Sequence, residues 1–147
     1  MFINHKKFKL HSIVLWKIIR DIWPKYYWLI CITWWWLHLA YYLSKILKIK
    51  KIQNLNISSY NGRCCSKIKD ITDWIELKKD KKYLIVDDLI DSWKTVELVL
   101  KKYSWLCRQL DIATLYHKWK ARKPDYFIKE VSPKKRIEFY YEKDIDG

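Results

Sequence analysis

The stretch that most constrains the fold is a run of apolar residues, 83–86, followed at once by Asp87 and Asp88. Four apolar residues in a row, including Ile85 and Val86, predict a strand that is buried on both faces. Behind it, residues 95–103 have the apolar spacing of an amphipathic helix. A buried strand that leads directly into a helix is typical of a parallel sheet, so we expect an α/β domain.

The same alternation of strands and helices continues along the rest of the chain. Helices are predicted at residues 12–22 and 37–47, and strands at 27–33, 52–57, 110–116 and 126–131. These elements predict a three-layer α/β domain whose central sheet is mostly parallel and flanked by helices. The chain has 147 residues and shows no internal repeat or linker, so we expect a single domain over residues 1–147.

The charge balance limits the class of partner. The chain has 30 Lys and Arg against 16 Asp and Glu, a net charge of +14. Such an excess suits a polyanion, which could be nucleic acid, an anionic membrane or a phosphorylated small molecule. The alternative is a lysine-rich surface that is only solvated. Because the basic residues are scattered along the chain without a dense block, nucleic acid is not the expected partner.

The cysteines and the N-terminus favour a cytoplasmic protein. The four cysteines form no C-x-x-C pair, so they predict reduced thiols and neither a zinc site nor a disulfide framework. The N-terminal residues lack the apolar run of a secretory signal. Residues 26–44 contain no charged side chain and could span a bilayer, but three consecutive tryptophans at their centre disfavour a membrane protein.

A candidate binding site follows the strand at residues 83–86. Ligands of a parallel sheet bind beyond the carboxyl ends of its strands, where Asp87, Asp88 and Asp91 are expected. Residues 92–95 then open a helix, whose first N–H groups form an anion site. Helix capping alone would explain one of these polar residues, but not three acids after an apolar run. Carboxylates beside an anion site predict a ligand that carries both hydroxyl and phosphate groups.

The stretch "YLIVDDLIDSWKT" resembles the phosphoribosyl-diphosphate (PRPP) signature of the type I phosphoribosyltransferases. That signature consists of an apolar strand, two acids, two apolar residues and then Asp-Thr/Ser-Gly-x-Thr. The likeness extends to "WLICITWWWLHLAYYLSKILKI", "LYHKWKARKPDYFIKEV" and "RIEFYYE", which resemble the diphosphate loop, the purine-side strand and the C-terminal segment. Among these enzymes the chain is most similar to the xanthine, guanine and hypoxanthine group.

The resemblance implies a role for each matching residue. Asp87 and Asp88 would hold the ribose hydroxyls of PRPP, directly or through Mg²⁺, and Asp91 would act as acid and base at N7 of the purine. The remaining implied sites are the 5′-phosphate loop (Ser92, Trp93, Lys94, Thr95), the diphosphate loop (Thr33, Trp34, Trp35), the closing loop (Ser58, Ser59, Tyr60) and the purine site (Lys118, Arg136, Ile137). A small C-terminal hood segment is implied as well.

Tryptophan stands where the family has glycine. The chain has 10 tryptophans and 2 glycines, and Trp35, Trp36 and Trp93 occupy glycine positions of the family, with Trp34 beside them. Some bacteria read the UGA codon as glycine and others read it as tryptophan. We hypothesise that several tryptophans are glycines of the native protein; the alternative is that they are genuine and pack in the core. Position 93 is expected to need a positive φ angle, which glycine adopts readily.

The function implied by the resemblance is transfer of the phosphoribosyl group of PRPP to a 6-oxopurine, with Mg²⁺ as cofactor. A homo-oligomer, either a dimer or a tetramer, is implied too. The alternative is a PRPP-binding regulator of the same fold without catalytic activity. Asp91 and Lys118 favour the enzyme, because a regulator needs neither an acid–base group nor a purine anchor. With tryptophan at the glycine positions, the written chain is expected to be inactive or nearly so.

Overall fold

The computed structural model describes residues 1–22, 25–32, 37–55, 57–59, 68–71, 75–119 and 122–143. Described helices and strands alternate along most of the chain. A short 3-10 turn, Ser104–Leu106, follows the third helix. In chain order the elements are β1 Phe2–Ile3, α1 His5–Ile22, β2 Trp28–Cys31, α2 Leu37–Leu47, β3 Ile52–Asn54, β4 Ile57–Ser59, β5 Ile68–Ile71, β6 Tyr83–Ile90, α3 Lys94–Lys102, β7 Leu110–Lys118, β8 Tyr126–Val131, β9 Glu138–Phe139 and α4 Tyr140–Lys143.

The central sheet has five strands in the order β3-β2-β6-β7-β8. Each neighbouring pair in it is parallel, and Tyr83 at the start of β6 lies between Trp28 of β2 and Leu110 of β7. β6 is buried at every position except Leu89, as an apolar strand covered on both faces must be. The predicted α/β fold class with a mostly parallel sheet is therefore confirmed.

Two apolar clusters cover the two faces of the sheet. Alternate residues of β6 separate between them, because successive side chains of a strand point to opposite faces. Leu84 and Val86 pack with α1 and α2, whereas Tyr83 and Ile85 pack with Val96 of α3. The sheet therefore lies between a layer containing α1 and α2 and a layer containing α3.

Several element boundaries differ from the sequence-based prediction. α1 begins at His5, seven residues before the predicted start, because Asn4 caps it: the Asn4 side chain accepts from the N–H of Lys7 at 2.9 Å. The predicted strand at residues 52–57 is divided into β3 and part of β4. β4, which contains Ser58 and Ser59 of the implied closing loop, pairs with β5 in a separate antiparallel ribbon.

The C-terminal segment packs against the N-terminal one, as the implied hood requires. β9 pairs in parallel with β1, so that Glu138 is opposite Phe2. The rings of Phe139 and Tyr141 lie 6.0 Å and 5.8 Å from that of Phe8, which is fully buried. These aromatic contacts hold the last described residues against the helix layer that contains α1.

The uncharged residues 26–44 do not form one long apolar helix. Their described part consists of strand β2 and most of the helix α2. Within the described ranges, no helix combines the length and hydropathy needed to cross a membrane. Of the cysteines, Cys31 is a buried thiol and Cys107 an exposed one, while Cys64 and Cys65 lie outside the described residues.

Candidate active site

The strand order places a crevice at the carboxyl end of β6. From β2 the chain goes outward to β3 on one side, and β6, β7 and β8 follow on the other side. At such a reversal of strand order the loops after neighbouring strands diverge and leave room for a ligand. The last residue of β2, Cys31, pairs with Val86, so the end of β6 projects past β2 into this crevice.

Asp87 and Asp88 lie inside β6 and not after it. The strand was predicted to end at residue 86, but it runs to Ile90, because β7 continues to pair with it: Asp87 is opposite Thr114, and Ile90 is opposite His117. As consecutive strand residues, Asp87 and Asp88 point to opposite faces of the sheet. One ligand group therefore cannot contact both carboxylates unless this end of β6 rearranges.

Asp88 is fully buried and already has a partner. The hydroxyl group of Tyr141 donates a hydrogen bond to its Oδ2 atom, while Oδ1 has no hydrogen-bond partner among the described residues. Burial, and next the charge of Asp87, raise the pKa of Asp88 well above its usual value. Tyr141 is thus part of the site, and sequence reasoning missed this role because no local pattern links it to a strand 53 residues away.

Asp87 is the more accessible of the two acids, although it is only 7% exposed. Burial raises its pKa to about 7, against an opposing effect of the N–H groups of Asp88 and Leu89. Its Oδ1 atom has no hydrogen-bond partner within the described part of the chain. A buried carboxylate oxygen without a donor is unfavourable by itself, and a ligand hydroxyl group or a cation would satisfy it.

The substitution Asp87→Asn is expected to stabilise the protein at neutral pH. Because the folded-state pKa is raised, folded Asp87 keeps its proton between about pH 4 and 7 while the unfolded chain releases it. Stability from this group is therefore lost as the pH rises through that window. Asparagine cannot ionise, so we expect a gain of roughly 4 kcal/mol at pH 8 and little change at pH 4.

Urea unfolding of both proteins as a function of pH would measure this difference. The matched control is Asp21→Asn, because Asp21 is an exposed aspartate whose side chain is 68% accessible. The control is expected to leave the pH dependence unchanged. Equal unfolding midpoints for Asp87→Asn and the original chain at pH 8 would show that burial does not raise this pKa.

Asp91 follows β6 and lies beside the predicted purine anchor. Its side chain is 74% exposed, and its Oδ1 atom is 3.6 Å from the Nζ atom of Lys118. Lys118 comes from the last position of β7, the neighbouring strand, so both residues stand at the same edge of the sheet. The structure therefore brings together two residues to which the resemblance assigns contacts with one purine ring.

Lys118 is buried and held by backbone carbonyls. Its Nζ atom donates to the carbonyl oxygens of Ser132 at 3.4 Å and Pro133 at 3.3 Å, and also to that of Lys135. These contacts fix the ammonium group at the carboxyl end of β7. Of the other predicted purine residues, Ile137 is buried in the core, whereas Arg136 is exposed and pairs with Glu138 at 3.1 Å.

The N-terminus of α3 lies just after Asp91. The first N–H groups of a helix have no intrahelical acceptor, so those of α3 can bind an anion. Trp93 is the N-cap residue, with φ −73° and ψ −10°, so the prediction that position 93 needs a positive φ angle is wrong for this chain. Its indole packs partly buried against the apolar cluster on the α3 side of the sheet. A glycine here would therefore act by letting a ligand approach closely.

His117 is a second residue that sequence reasoning missed. It is 1% exposed, and neither ring nitrogen has a hydrogen-bond partner among the described residues. Its Nε2 atom is 3.5 Å from a carboxylate oxygen of Glu130, and its ring meets that of Phe127 edge-on at 4.5 Å. Its position directly before Lys118 was the only signal for it in the sequence.

Part of the predicted site lies outside the described residues. Thr33, Trp34, Trp35 and Trp36 lie there, as does Tyr60 of the closing loop. Ser58 and Ser59 belong to strand β4. The described site therefore consists of the acids of β6, Asp91, the N-terminus of α3 and Lys118.

The donor set at this edge suits Mg²⁺. Asp87 and Asp88 each have a buried carboxylate oxygen without a hydrogen-bond partner, and Mg²⁺ prefers such oxygen ligands. Within the described residues no group of three or more His, Cys, Asp or Glu side chains could hold a metal ion. This is compatible with Mg²⁺, which is usually held by one or two carboxylates together with substrate phosphates and water.

Comparison with known proteins gives matches to solved structures. No family model and no curated protein matches the chain. A purine phosphoribosyltransferase from Pyrococcus horikoshii is 28% identical, with a TM-score of 0.80 over 95% of this chain and 91% of that one. The xanthine-guanine-hypoxanthine phosphoribosyltransferase of Helicobacter pylori is 24% identical, with a TM-score of 0.79 over 99% and 93%.

A third structure, of a hypothetical protein from Neisseria gonorrhoeae with bound ppGpp, is 24% identical, with a TM-score of 0.75 over 99% of this chain and 92% of that one. All three matches cover nearly the whole of both chains, so the likeness is not confined to one motif. The resemblance that the sequence showed is thus confirmed by the structure: this chain has the fold of the type I phosphoribosyltransferases and is structurally related to the purine phosphoribosyltransferases.

Proposed function

We propose that this chain transfers the 5-phosphoribosyl group of PRPP to a 6-oxopurine, which is guanine, xanthine or hypoxanthine, and releases diphosphate. The observation that carries this proposal is the 3.6 Å approach of Asp91 to Lys118, at the edge of the sheet where α3 begins. Groups suited to an anion, to sugar hydroxyls and to a purine therefore meet in one crevice. The likeness to purine phosphoribosyltransferases from two organisms supports the same reaction.

The N-terminus of α3 would bind the 5′-phosphate. The N–H groups of its first turn and the positive end of its dipole favour a phosphate there. The hydroxyl groups of Ser92 and Thr95 can donate further hydrogen bonds, and Lys94 adds a positive charge. This contact would hold the sugar with its C1 atom toward the purine site.

Asp91 and Lys118 would act on the purine. As N9 of the base bonds to C1 of the ribose, the bond from C1 to diphosphate breaks and the proton on N7 passes to the carboxylate of Asp91. Lys118 would donate to the 6-oxo group, which a 6-amino group could not accept. The three N–H groups of Lys118 already donate to the backbone carbonyls of Ser132, Pro133 and Lys135, so one of these hydrogen bonds must be exchanged for the bond to the 6-oxo group.

Asp87 and Asp88 would hold the ribose hydroxyls and the Mg²⁺ ion once the end of β6 rearranges, because in this structure the two side chains point to opposite faces of the sheet. When bound, Mg²⁺ neutralises the charge that develops on the leaving diphosphate. Asp87 can accept from a hydroxyl group through its unpartnered Oδ1 atom. Asp88 would contribute only after Tyr141 releases it. We also propose a cytoplasmic homo-oligomer, either a dimer or a tetramer.

The test is an assay with guanine, xanthine and hypoxanthine, each with PRPP and Mg²⁺. It should use the glycine-restored chain, which carries Trp34→Gly, Trp35→Gly, Trp36→Gly and Trp93→Gly. We expect at least one 6-oxopurine to be converted to its nucleotide with release of diphosphate, and adenine to be left unchanged. Conversion of adenine alone would contradict the role of Lys118.

A non-catalytic PRPP-binding protein is the second candidate. Two observations favour it for the written chain: Tyr141 occupies Asp88, and the indole of Trp93 stands at the start of α3. The related structure with bound ppGpp shows that a protein of this fold can hold a purine nucleotide with diphosphate groups. Binding of PRPP without turnover of any purine, in the glycine-restored chain, would favour this candidate over the enzyme.

A further inference from the structure

Lysines that are scattered along the sequence are gathered at one edge of the sheet. In a parallel sheet, all loops that lead into strands lie at the amino ends of those strands, opposite the candidate active site. The loops before β2, β3 and β6 are rich in lysine and include an exposed tyrosine. We call the following side chains the basic edge: Tyr27, Lys50, Lys51, Lys78, Lys79 and Lys81.

Backbone and ring contacts show that these loops are adjacent. The N–H of Leu29 donates to the carbonyl of Lys51 at 3.1 Å, and the N–H of Tyr27 donates to that of Lys82 at 2.7 Å. The loops before β3 and β6 therefore flank the start of β2. The ammonium group of Lys81 lies 5.6 Å from the centre of the Tyr27 ring, so charges and ring form one continuous surface.

Most of the positive charge at the basic edge is not neutralised. Lys81 pairs with Asp80 at 3.2 Å, and both side chains are exposed. Lys50, Lys51, Lys78 and Lys79 are exposed and form no salt bridge with a described residue. Four such charges at one edge of a small domain attract a polyanion at ordinary ionic strength.

The basic edge also offers aromatic surface and a cavity. Tyr27 is 41% exposed, and its ring stacks on that of Trp28 with the centres 5.0 Å apart. Beside Trp28 is a cavity of about 490 Å³, whose lining includes Lys51, Lys78, Glu76 and the amide of Gln53. An aromatic wall and an amide group suit a nucleobase, and the two cations outweigh the one carboxylate for a neighbouring phosphate.

We propose that the basic edge binds single-stranded nucleic acid. The lysines would pair with successive phosphates, one base would stack on Tyr27, and another would enter the cavity beside Lys51 and Lys78. A duplex is excluded from this arrangement, because its bases are already stacked on one another. An anionic membrane fits less well, because insertion requires several apolar side chains, and the exposed rings named at this surface are those of Tyr27 and of Trp105 beside Lys79.

From the sequence, nucleic acid was not the expected partner. That expectation followed from the scattering of basic residues along the chain, and the parallel topology removes the reason for it. The proposal is also independent of phosphoribosyl transfer, since the active site occupies the opposite edge of the sheet. Neither activity requires the other.

Fluorescence anisotropy with a labelled single-stranded RNA of about 15 nucleotides tests the proposal on the full chain as written. The test variant is Lys51→Glu, Lys78→Glu and Lys79→Glu together. The control is Lys6→Glu, Lys9→Glu and Lys17→Glu, which changes the net charge equally at exposed positions of α1. We expect the test variant to bind the RNA at least about tenfold more weakly than the control does. The slope of the logarithm of the binding constant against the logarithm of the salt concentration should be shallower by roughly 2.

A second pair of variants tests base stacking. Tyr27→Leu is expected to weaken binding without changing the salt dependence, whereas Tyr41→Leu, at an exposed tyrosine of α2, should bind as the original chain does. Both variants keep Trp28, on which the Tyr27 ring stacks. Equal affinities for the two lysine variants would overturn the proposal. Equal affinities for duplex and single-stranded RNA would also overturn it. So would a chain that binds phosphatidylserine vesicles but does not bind the RNA.

Discussion

Replacing Trp34, Trp35, Trp36 and Trp93 together by glycine is expected to raise the rate of phosphoribosyl transfer by about 100-fold or more. Glycine lets the backbone approach a phosphate closely, and an indole prevents this. At position 93 the indole stands at the N-terminus of α3, where the 5′-phosphate would bind. The other three positions match the diphosphate loop by resemblance alone. Steady-state formation of nucleotide from PRPP and each 6-oxopurine would measure the change in kcat/KM.

The control for this restoration is Trp105→Gly. Trp105 is 49% exposed and lies in the 3-10 turn after α3, so its replacement is not expected to change the rate. Mass spectrometry of the native protein provides a separate check, because it distinguishes tryptophan from glycine at each position. Equal turnover by the written and the glycine-restored chains, or tryptophan at all four positions of an active native protein, would refute the hypothesis.

In the glycine-restored chain, Asp91→Asn is expected to lower kcat by about 100- to 10,000-fold. Asparagine keeps the shape of the side chain but cannot take the N7 proton from the purine. Since the Asp91 side chain is 74% exposed, its loss should change the free energy of unfolding little. The KM for PRPP is expected to stay close to its original value, because the 5′-phosphate and the ribose are held by other groups.

Asp21→Asn is the matched control for this variant. Asp21 is an aspartate of similar exposure, 68%, paired with Arg20 at 3.2 Å on α1, and its loss should leave kcat unchanged. If Asp91→Asn kept the full kcat, Asp91 would not be the acid–base group. A rise in the KM for PRPP with unchanged kcat would likewise contradict the assigned role, since it would indicate a contribution to binding alone.

The fold class could be predicted from sequence because the signals that specify it are local. A continuous apolar run marks β6 as a strand buried on both faces, and the helical spacing after it marks α3. The end of β6 could not be predicted in the same way. Aspartate has a low propensity for β-strands, so Asp87 and Asp88 do not by themselves predict a strand. They lie in the sheet because β6 pairs with β7 along this length.

The site was predictable only where its residues are close in sequence. Asp87, Asp88 and Asp91 form a recognisable pattern, and the family resemblance adds Lys118. The contact of Tyr141 with Asp88 depends on how the C-terminal segment packs, and no local pattern encodes it. The gathering of lysines at the basic edge depends in the same way on the parallel order of the strands.

Position 93 illustrates a limit of reasoning by resemblance. A glycine in a family signature was interpreted as a requirement for positive φ, yet Trp93 adopts an ordinary right-handed helical conformation. Among the described residues other than glycine, positive φ occurs at Lys48. The backbone angle of this chain does not require glycine at position 93, so we expect Trp93→Gly to act by making space for a ligand.

Titration calorimetry of PRPP, with Mg²⁺ present, into the glycine-restored chain tests most directly whether this sugar phosphate docks where Asp87 and Asp91 meet the N-terminus of α3. Saturable binding of one PRPP per chain is expected, and it should weaken by about tenfold or more in the Thr95→Val and Asp87→Asn variants. Absence of binding heat, or affinity unchanged by both substitutions, would contradict the proposed site.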